Sequence, residues 1–432
     1  MVSTAGEFSD SAKIVETSNS PANSQVACPP SKVELLKAPS NAMSRLYFAG
    51  LLAYAFFAPF SITGSQIALS FSLVALGILW HRGEQAISFT RADAAFGGFA
   101  LAGLLSLAGA IDLSRGISEM KKFLIIFAFW LPLWRPLPAG KRQTILGILI
   151  GISSFISIFG LLKLVYVDYA DYGITRAEGF FSLPLTFGEF NALTMLTTLF
   201  WLHAGDSRPV VRVGLLLAFF FQMVGLVTSF TRGAWLGFGA GFLVLIFQNP
   251  RKFLSVFLIC FLLCGVGASF SSGMRSRLAT FTTVGDGTSS FRIRIWQLGY
   301  EIISLNPVFG VGMNCVKPHY QARVTPYEVS INEVHGHLHN SYLQYAAMTG
   351  LFGYVLFWWW TLELFALARS GPTRMSALWD ATMASHLPAL FACFFVTGIT
   401  EYSFGDEEVA MLFFFLVGLL LNPMLIPKSE KP

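Results

Sequence analysis

Charge is what this sequence has least of: Asp, Glu, Lys and Arg make up 12% of its 432 residues, where a soluble globular domain carries about 25%. That deficit leaves too little polar surface to cover a water-soluble fold. Hydrophobic residues account for 54% of the chain and its mean hydropathy is +0.61. Cysteine is also scarce and scattered (Cys28, Cys260, Cys264, Cys315 and Cys393). This excludes a disulfide framework and cysteine-based zinc spacing. Cys260 and Cys264 sit one turn apart in an apolar run and read as small hydrophobes in packing. The first 43 residues lack the apolar core of a signal peptide. They are rich in Ser, Ala, Pro and Asn and are expected to form a disordered cytoplasmic tail. No internal repeat of fixed period is visible. The net charge of +5 is the ordinary lysine and arginine excess of cytoplasmic loops, and no nucleic-acid partner is expected.

What the chain does have is apolar runs of 18 or more residues, each long enough to cross about 30 Å of hydrocarbon as a helix. The expected fold is therefore all-α and polytopic, with about twelve transmembrane helices. They fall near 46–62, 64–80, 94–111, 121–137, 143–167, 184–204, 211–230, 233–249, 252–270, 341–366, 384–402 and 407–425. The fourth is the weakest, because Pro132, Arg135, Pro136 and Pro138 crowd its end. The division is thus a tail (1–43), helices one to nine (44–270), a loop domain (271–340), helices ten to twelve (341–425) and a second cytoplasmic tail (426–432).

Lysine and arginine placement sets the orientation. With the N-terminus inside, the cytoplasmic connections hold Arg82 and Arg91; Arg135, Lys141 and Arg142; Arg208 and Arg212; Arg251 and Lys252; Arg369 and Arg374. The second tail adds Lys428 and Lys431, and the outer connection at 403–407 is acidic. Lys121 and Lys122 are the exception, falling outside. Both termini are expected in the cytoplasm. The loop of about 70 residues at 271–340 is then periplasmic, and a loop of that length in a compact protein is expected to have a function. It is partly helical: Phe291, Ile295, Leu298 and Ile302 form one apolar stripe. Asn306-Pro307 ends that helix, and Phe309-Gly310-Val311-Gly312 reads as a turn.

Four basic features collect at the outer face. Arg232 lies in Thr231-Arg-Gly-Ala-Trp235 between two spans, and Arg176 in the loop before the sixth. Arg292 and Arg294 are on the loop helix, and His335, His337 and His339 immediately precede the tenth span. Arg232 admits two readings: a side chain snorkelling to the interface, or a guanidinium fork binding phosphate. A diphosphate at the bilayer surface needs two or three such groups, and Arg176, Arg232 and Arg292 would supply them if their segments converge. Arg294 shares a face with Gln297 and Glu301, which suits a solvated or locally paired role; Arg292 lies beside Trp296, which suits a phosphate or sugar contact.

Histidine can take a proton from an attacking hydroxyl near neutral pH. Zinc binding is the rival reading, but no cysteine or carboxylate pair completes such a site. Asn340 and Ser341 look like caps of the following helix, placing His339 at the mouth of a span; His337 is second. Lys163 and Glu189, at outer helix ends, are either functional or tolerated by burial or snorkelling. Trp358-Trp359-Trp360 reads as an interfacial belt or packing rather than a carbohydrate platform.

These pieces together resemble the O-antigen ligase and polymerase superfamily of bacterial inner-membrane proteins. The matching runs are Thr231-Arg-Gly-Ala-Trp-Leu236, Ser289-Ser-Phe-Arg-Ile-Arg-Ile-Trp296, Asn306-Pro-Val-Phe-Gly-Val-Gly312, His337-Leu-His-Asn-Ser-Tyr-Leu-Gln344 and Thr349-Gly-Leu-Phe-Gly353. Arg176-Ala-Glu-Gly179 with Pro184 looks like the preceding family segment; Phe291 departs from the pattern, standing where many relatives have a small residue. The resemblance implies a periplasmic loop whose helices overlie a membrane-facing cavity. It further implies transfer of O-antigen from undecaprenyl diphosphate to a sugar hydroxyl of lipid A-core oligosaccharide, without metal, nucleotide or other cofactor. His339, or else His337, would be the base. Arg176, Arg232, Arg292 and Arg294 are the diphosphate candidates, and Trp296 and Asn340 the sugar or helix-cap contacts. Moderate length and a single dominant outer loop favour a ligase over a polymerase, and a protein-directed oligosaccharyltransferase would usually carry a longer C-terminal region. A transporter would place its polar site at the midplane, often on repeats. The oligomeric state is left open.

Overall fold

The computed structural model describes residues 41–166, 176–205, 208–256, 258, 262, 287–321 and 336–425. Beyond these lie nearly all of the expected N-terminal tail, residues 426–432, most of the ninth span, a large part of the outer loop with His335, and Cys28, Cys260 and Cys264.

Among the described residues the chain is helical without strands. The helices are α1 (Asn41–Phe57), α2 (Ile62–His81), α3 (Arg91–Ser106), α4 (Leu113–Glu119), α5 (Phe127–Trp134), α6 (Ala139–Tyr166), α7 (Pro184–Ala204), α8 (Pro209–Thr228) and α9 (Arg232–Gln248). They continue with α10 (Gly287–Leu305), α11 (Val316–Gln321), α12 (Ser341–Ser370), α13 (Leu378–Ser385), α14 (Leu387–Thr397) and α15 (Glu407–Leu421). Helix is the expected solution for an open chain in hydrocarbon, because each segment satisfies its own backbone polar groups. Six described helices are long and apolar enough to cross a membrane: Ile62–His81, Arg91–Gly109, Ala139–Leu164, Pro209–Thr228, Ser341–Arg374 and Glu407–Met424.

The most enclosed long helix is not among the six. α7 is buried on every side from Thr186 to Trp201, packed against α6, α8, α9, α13, α14 and α15. Enclosure by protein rather than lipid lets it carry polar residues. Thr194 and Thr198 hydroxyls donate to carbonyls one turn back, Asn191 Oδ1 accepts from Ser157 at 2.7 Å, and Thr198 meets Gln222 at 2.9 Å.

The stretch expected as a fourth span is divided. Met120–Ile126 is a 3-10 helix and only Phe127–Trp134 is α-helical. Pro132 and Pro136 remove backbone donors that a continuous helix would use, and Asn422 closes the end instead. Its amide donates to the Pro132 and Arg135 carbonyls at 2.7 Å each and accepts from the Leu137 N–H at 2.8 Å. Of the expected eleventh span, 384–402, the main helix is the 11-residue α14, separated at His386 from α13, which holds only the span's first two residues.

α12 bends at Gly350, whose φ of 64° lies in the left-handed region. The turn after α10 is docked into the bend. Val311 and Gly312 N–H donate to the Ala347 and Met348 carbonyls at 3.0 Å, and Leu351 and Phe352 N–H donate to Pro307 and Val308 at 2.7 and 3.2 Å. The backbones approach so closely that a Cβ on Gly310 would lie 2.4 Å from the Met348 carbonyl oxygen, and one on Gly350 2.3 Å from that of Val308. Only glycine fits both places. The docked turn thereby satisfies polar groups that the bend releases, and fixes α10 over the start of α12. Trp360 is buried and stacks near Phe99, while Trp358 stacks on Tyr342 at 5.4 Å. This pair serves in packing.

Candidate functional site

The site is assembled where α9, α10 and α12 begin and α14 ends. Between α8 and α9 the chain turns through Phe230, which has a φ of 49°. A non-glycine residue held in this region costs about 1 kcal/mol or more, so the surrounding contacts must hold it. Arg176 does part of that: its Nε donates to the Ser229 carbonyl at 2.8 Å and its Nη2 to Thr231 Oγ1 at 3.0 Å. The Thr231 hydroxyl donates onward to the Pro184 carbonyl at 3.0 Å. The turn delivers Arg232 as the first residue of α9, half-buried.

Gly233, the next residue, is pressed against the end of α14: a Cβ there would lie 3.3 Å from Glu401 Cγ. Glu401 is 4% exposed, and its two carboxylate oxygens have different partners. Oε1 takes Nη2 of Arg292, reaching over from α10, and Oε2 takes Nδ1 of His339 at 3.2 Å. The Glu401 carbonyl accepts from the Ser341 N–H and hydroxyl at 3.2 and 3.1 Å, which locks it to the start of α12.

His339 has a φ of 47°, a second left-handed non-glycine residue at the same site. Its segment is pinned from three sides. Trp296 Nε1 of α10 donates to the Leu338 carbonyl at 3.1 Å, Gln344 Oε1 accepts the Leu338 N–H at 2.9 Å, and Asn340 caps α12 by accepting from Tyr342 and Leu343 N–H at 2.9 and 3.0 Å. The side chains of Trp296 and Asn340 are thus engaged in holding the histidine loop, Asn340 through the cap contact. The partners assign the tautomers. Nδ1–H of His339 faces the carboxylate, leaving Nε2 as an acceptor. Nδ1 of His337 accepts the His339 N–H at 3.3 Å, which puts the proton of its neutral ring on Nε2. The two rings are 4.3 Å apart, and His337 is 5.6 Å from the Tyr402 ring.

Beneath this surface lies Glu189 of α7, 4% exposed, within electrostatic reach of Glu401, Asp406 and Arg292. Its Oε2 has no hydrogen-bond partner among the described residues. Asp406 accepts from the Thr186 hydroxyl at 2.6 Å and caps α15 through the Val409 N–H, and burial holds its carboxyl above the ordinary range. Lys163 is paired with Glu178, which ties α6 to the Arg176 segment.

The structure therefore gathers Arg176, Arg232, Arg292, His337 and His339 at one end of the bundle. Arg294 is exposed on another face of α10 and is not part of the group. Glu401 is the residue that sequence reasoning did not assign; it lies just before the acidic outer connection at 403–407. Its signal was an ionisable group at the end of an apolar run, the type of residue that repays attention in a membrane protein. Among the described residues no three His, Cys, Asp or Glu side chains are grouped to hold a metal ion.

No curated protein matches the chain. Residues 215–358 match the family model described as O-Antigen ligase. That segment contains Arg232, Arg292, His337 and His339, and stops short of Arg176 and Glu401. Over that third of its length the chain is similar to the O-antigen ligase family.

Proposed function

We propose that this protein is an O-antigen ligase of the bacterial inner membrane, with about twelve membrane crossings and the His339 end of the bundle facing the periplasm. It takes a glycan from undecaprenyl diphosphate and transfers it to a sugar hydroxyl of lipid A-core oligosaccharide. The observation that carries this reading is the Glu401 carboxylate, which holds an imidazole on one oxygen and a guanidinium on the other, beside the N-terminus of α9.

The chemistry follows from the residues. The acceptor hydroxyl oxygen attacks the anomeric carbon while its proton passes to Nε2 of His339. Glu401 fixes the ring and stabilises the imidazolium that forms. The bond from the anomeric carbon to the diphosphate oxygen breaks, and the leaving undecaprenyl diphosphate keeps the electron pair. Charge growing on the diphosphate meets Arg232, the α9 N-terminus and the remaining donors of Arg292. Arg292 retains donors because a guanidinium has five and Glu401 uses one face of it. Arg176 acts mainly through the 229–231 turn. Direct displacement inverts the anomeric configuration, which NMR of the purified product tests.

Deleting the gene and separating lipopolysaccharide by electrophoresis tests the function. Loss of every O-antigen ladder band over intact core is the expected result. Core bearing a single repeat unit would identify a polymerase instead, and unchanged lipopolysaccharide would remove both readings in favour of a transporter.

A further inference from the structure

Lys121 and Lys122 break the positive-inside pattern, and the site described above does not use them. They stand at the rim of a groove of about 350 Å³ between α2, Met120–Ile126, α5 and α15. The rim also carries Gln66, Ser70 and Glu407, with Gln66 Nε2 donating to the Glu407 carboxylate at 2.9 Å. The walls below are apolar: Leu69, Leu73, Leu124, Ile125, Phe127, Leu131 and Met411. From Gln66 to Leu73 the groove descends about 10 Å along α2. Leu73 and Leu124 are 37% and 61% exposed, so it opens sideways toward lipid.

The rim lies at the His339 end, since Glu407 follows directly on the 401–406 connection. Lys122 makes the link. It pairs with Glu119 at 2.6 Å, donates to the Gly405 carbonyl at 3.2 Å and lies 5.8 Å over the Tyr402 ring, which in turn neighbours His337. Lys121 is exposed and has no ion-pair partner among the described residues. The lining charges are two ammonium groups and one carboxylate. An ammonium beside an amide, a hydroxyl and a carboxylate matches a headgroup bearing both phosphate and sugar hydroxyls; the apolar trough matches one hydrocarbon chain.

We propose that this groove seats the acceptor, a phosphorylated glycolipid, with one acyl chain along Leu69 and Leu73, its phosphate on Lys121, and its sugar hydroxyls on Gln66 and Glu407. This inference rests on the ligase reading for the choice of occupant. Of the groups assigned to the donor diphosphate, Arg292 takes the Glu401 oxygen that His339 does not, and Arg232 begins α9 beside Glu401. A molecule entering across Lys122 and Tyr402 arrives on the histidine side, where the acceptor must meet its base.

Binding and transfer are measured separately. Purified protein in nanodiscs is titrated with lipid A, undecaprenyl phosphate, phosphatidylglycerol and phosphatidylethanolamine, and bound lipid is read by native mass spectrometry. Lipid A is expected to be retained preferentially. Lys121→Gln should weaken its retention about tenfold, the loss of one charge-assisted contact. Leu73→Trp, which fills the trough, should do the same, while Leu217→Trp, on the lipid-facing side of α8, should not. In transfer assays Lys121→Gln should raise the acceptor KM with the donor KM and saturating kcat unchanged. Equal retention of phosphatidylglycerol or phosphatidylethanolamine would reduce the groove to a generic lipid contact and overturn the proposal, as would a rise in donor KM alone. Wild-type protein that retains lipid A in the groove but transfers nothing would instead sink the ligase reading.

Discussion

A carboxylate that touches both an imidazole and a guanidinium makes the two groups interdependent, so their substitutions should not act independently. His339→Ala is expected to lower transfer 10²–10⁴-fold, the usual contribution of a general base. Glu401→Gln keeps the shape but loses the charge that fixes the ring, and should lower kcat as well. If Glu401 works through His339, the double variant should be little worse than His339→Ala alone. Measured in single-turnover assays with purified donor, multiplied losses would refute that coupling. Arg232→Ala should raise the donor KM about tenfold or more, one charge-assisted phosphate contact being worth roughly 1.5–3 kcal/mol. Arg232→Lys should restore little, since an ammonium cannot reproduce the fork; full recovery by lysine would show that only net charge matters. The arginines and histidines were legible in the sequence because each is a polar group interrupting an apolar chain at a span boundary. Glu401 was not, because its partners Arg292 and His339 are separated from it by 109 and 62 positions, and only the packing of α10 and α12 against the end of α14 brings the three together.

At the level of elements, the hydrophobic runs located most helices, and the turn at Phe309–Gly312 was visible from its glycines. Its destination was not. That Gly310 and Gly350 face each other across a bent α12 depends on two backbones meeting, which no periodicity reports. Gly350→Ala should therefore be severe: it places a Cβ 2.3 Å from the Val308 carbonyl at a positive φ, and should cost about 2 kcal/mol or more. Loss of thermal stability in detergent, together with loss of transfer as α10 drifts from His339, is the expected outcome. Wild-type melting would show that the bend can relax. The Asp406 cap makes a different prediction. Its carboxyl is raised by burial, so the fold disfavours the ionised form. The neutral form carries no such penalty below the ordinary carboxylate pKa, and stability is lost as pH rises through the raised value. Asp406→Asn keeps an acceptor for the Val409 N–H without ionising. Relative to this variant the wild type should lose stability with rising pH, and parallel melting curves at all pH values would contradict it.

Over the whole molecule, the distribution of polar groups decides which way the protein faces. α7, at the centre of the bundle, carries a run of buried polar side chains because protein rather than lipid surrounds it. Charges collect at the two ends. One end holds the Arg176–Arg232–Arg292 group with Lys121 and Lys122; the other holds Arg82 and Arg374 between helices, and Lys141, Arg142 and Arg369 in terminal turns of α6 and α12. A rule based on cation counts would be ambiguous here if every cation weighed equally. Those at the first end are engaged in a site or line a groove; at the other, Arg142 is buried against Asp380 and the rest lie at helix ends and connections, where the positive-inside preference operates. The His339 end is accordingly expected in the periplasm. In a cysteine-free background, Glu301→Cys, exposed on α10, should react with a membrane-impermeant maleimide in spheroplasts. Thr373→Cys, exposed between α12 and α13, should react only after permeabilisation. The reverse pattern would place the histidine and its arginines in the cytoplasm, away from any periplasmic acceptor, and would end the ligase reading whatever the site geometry.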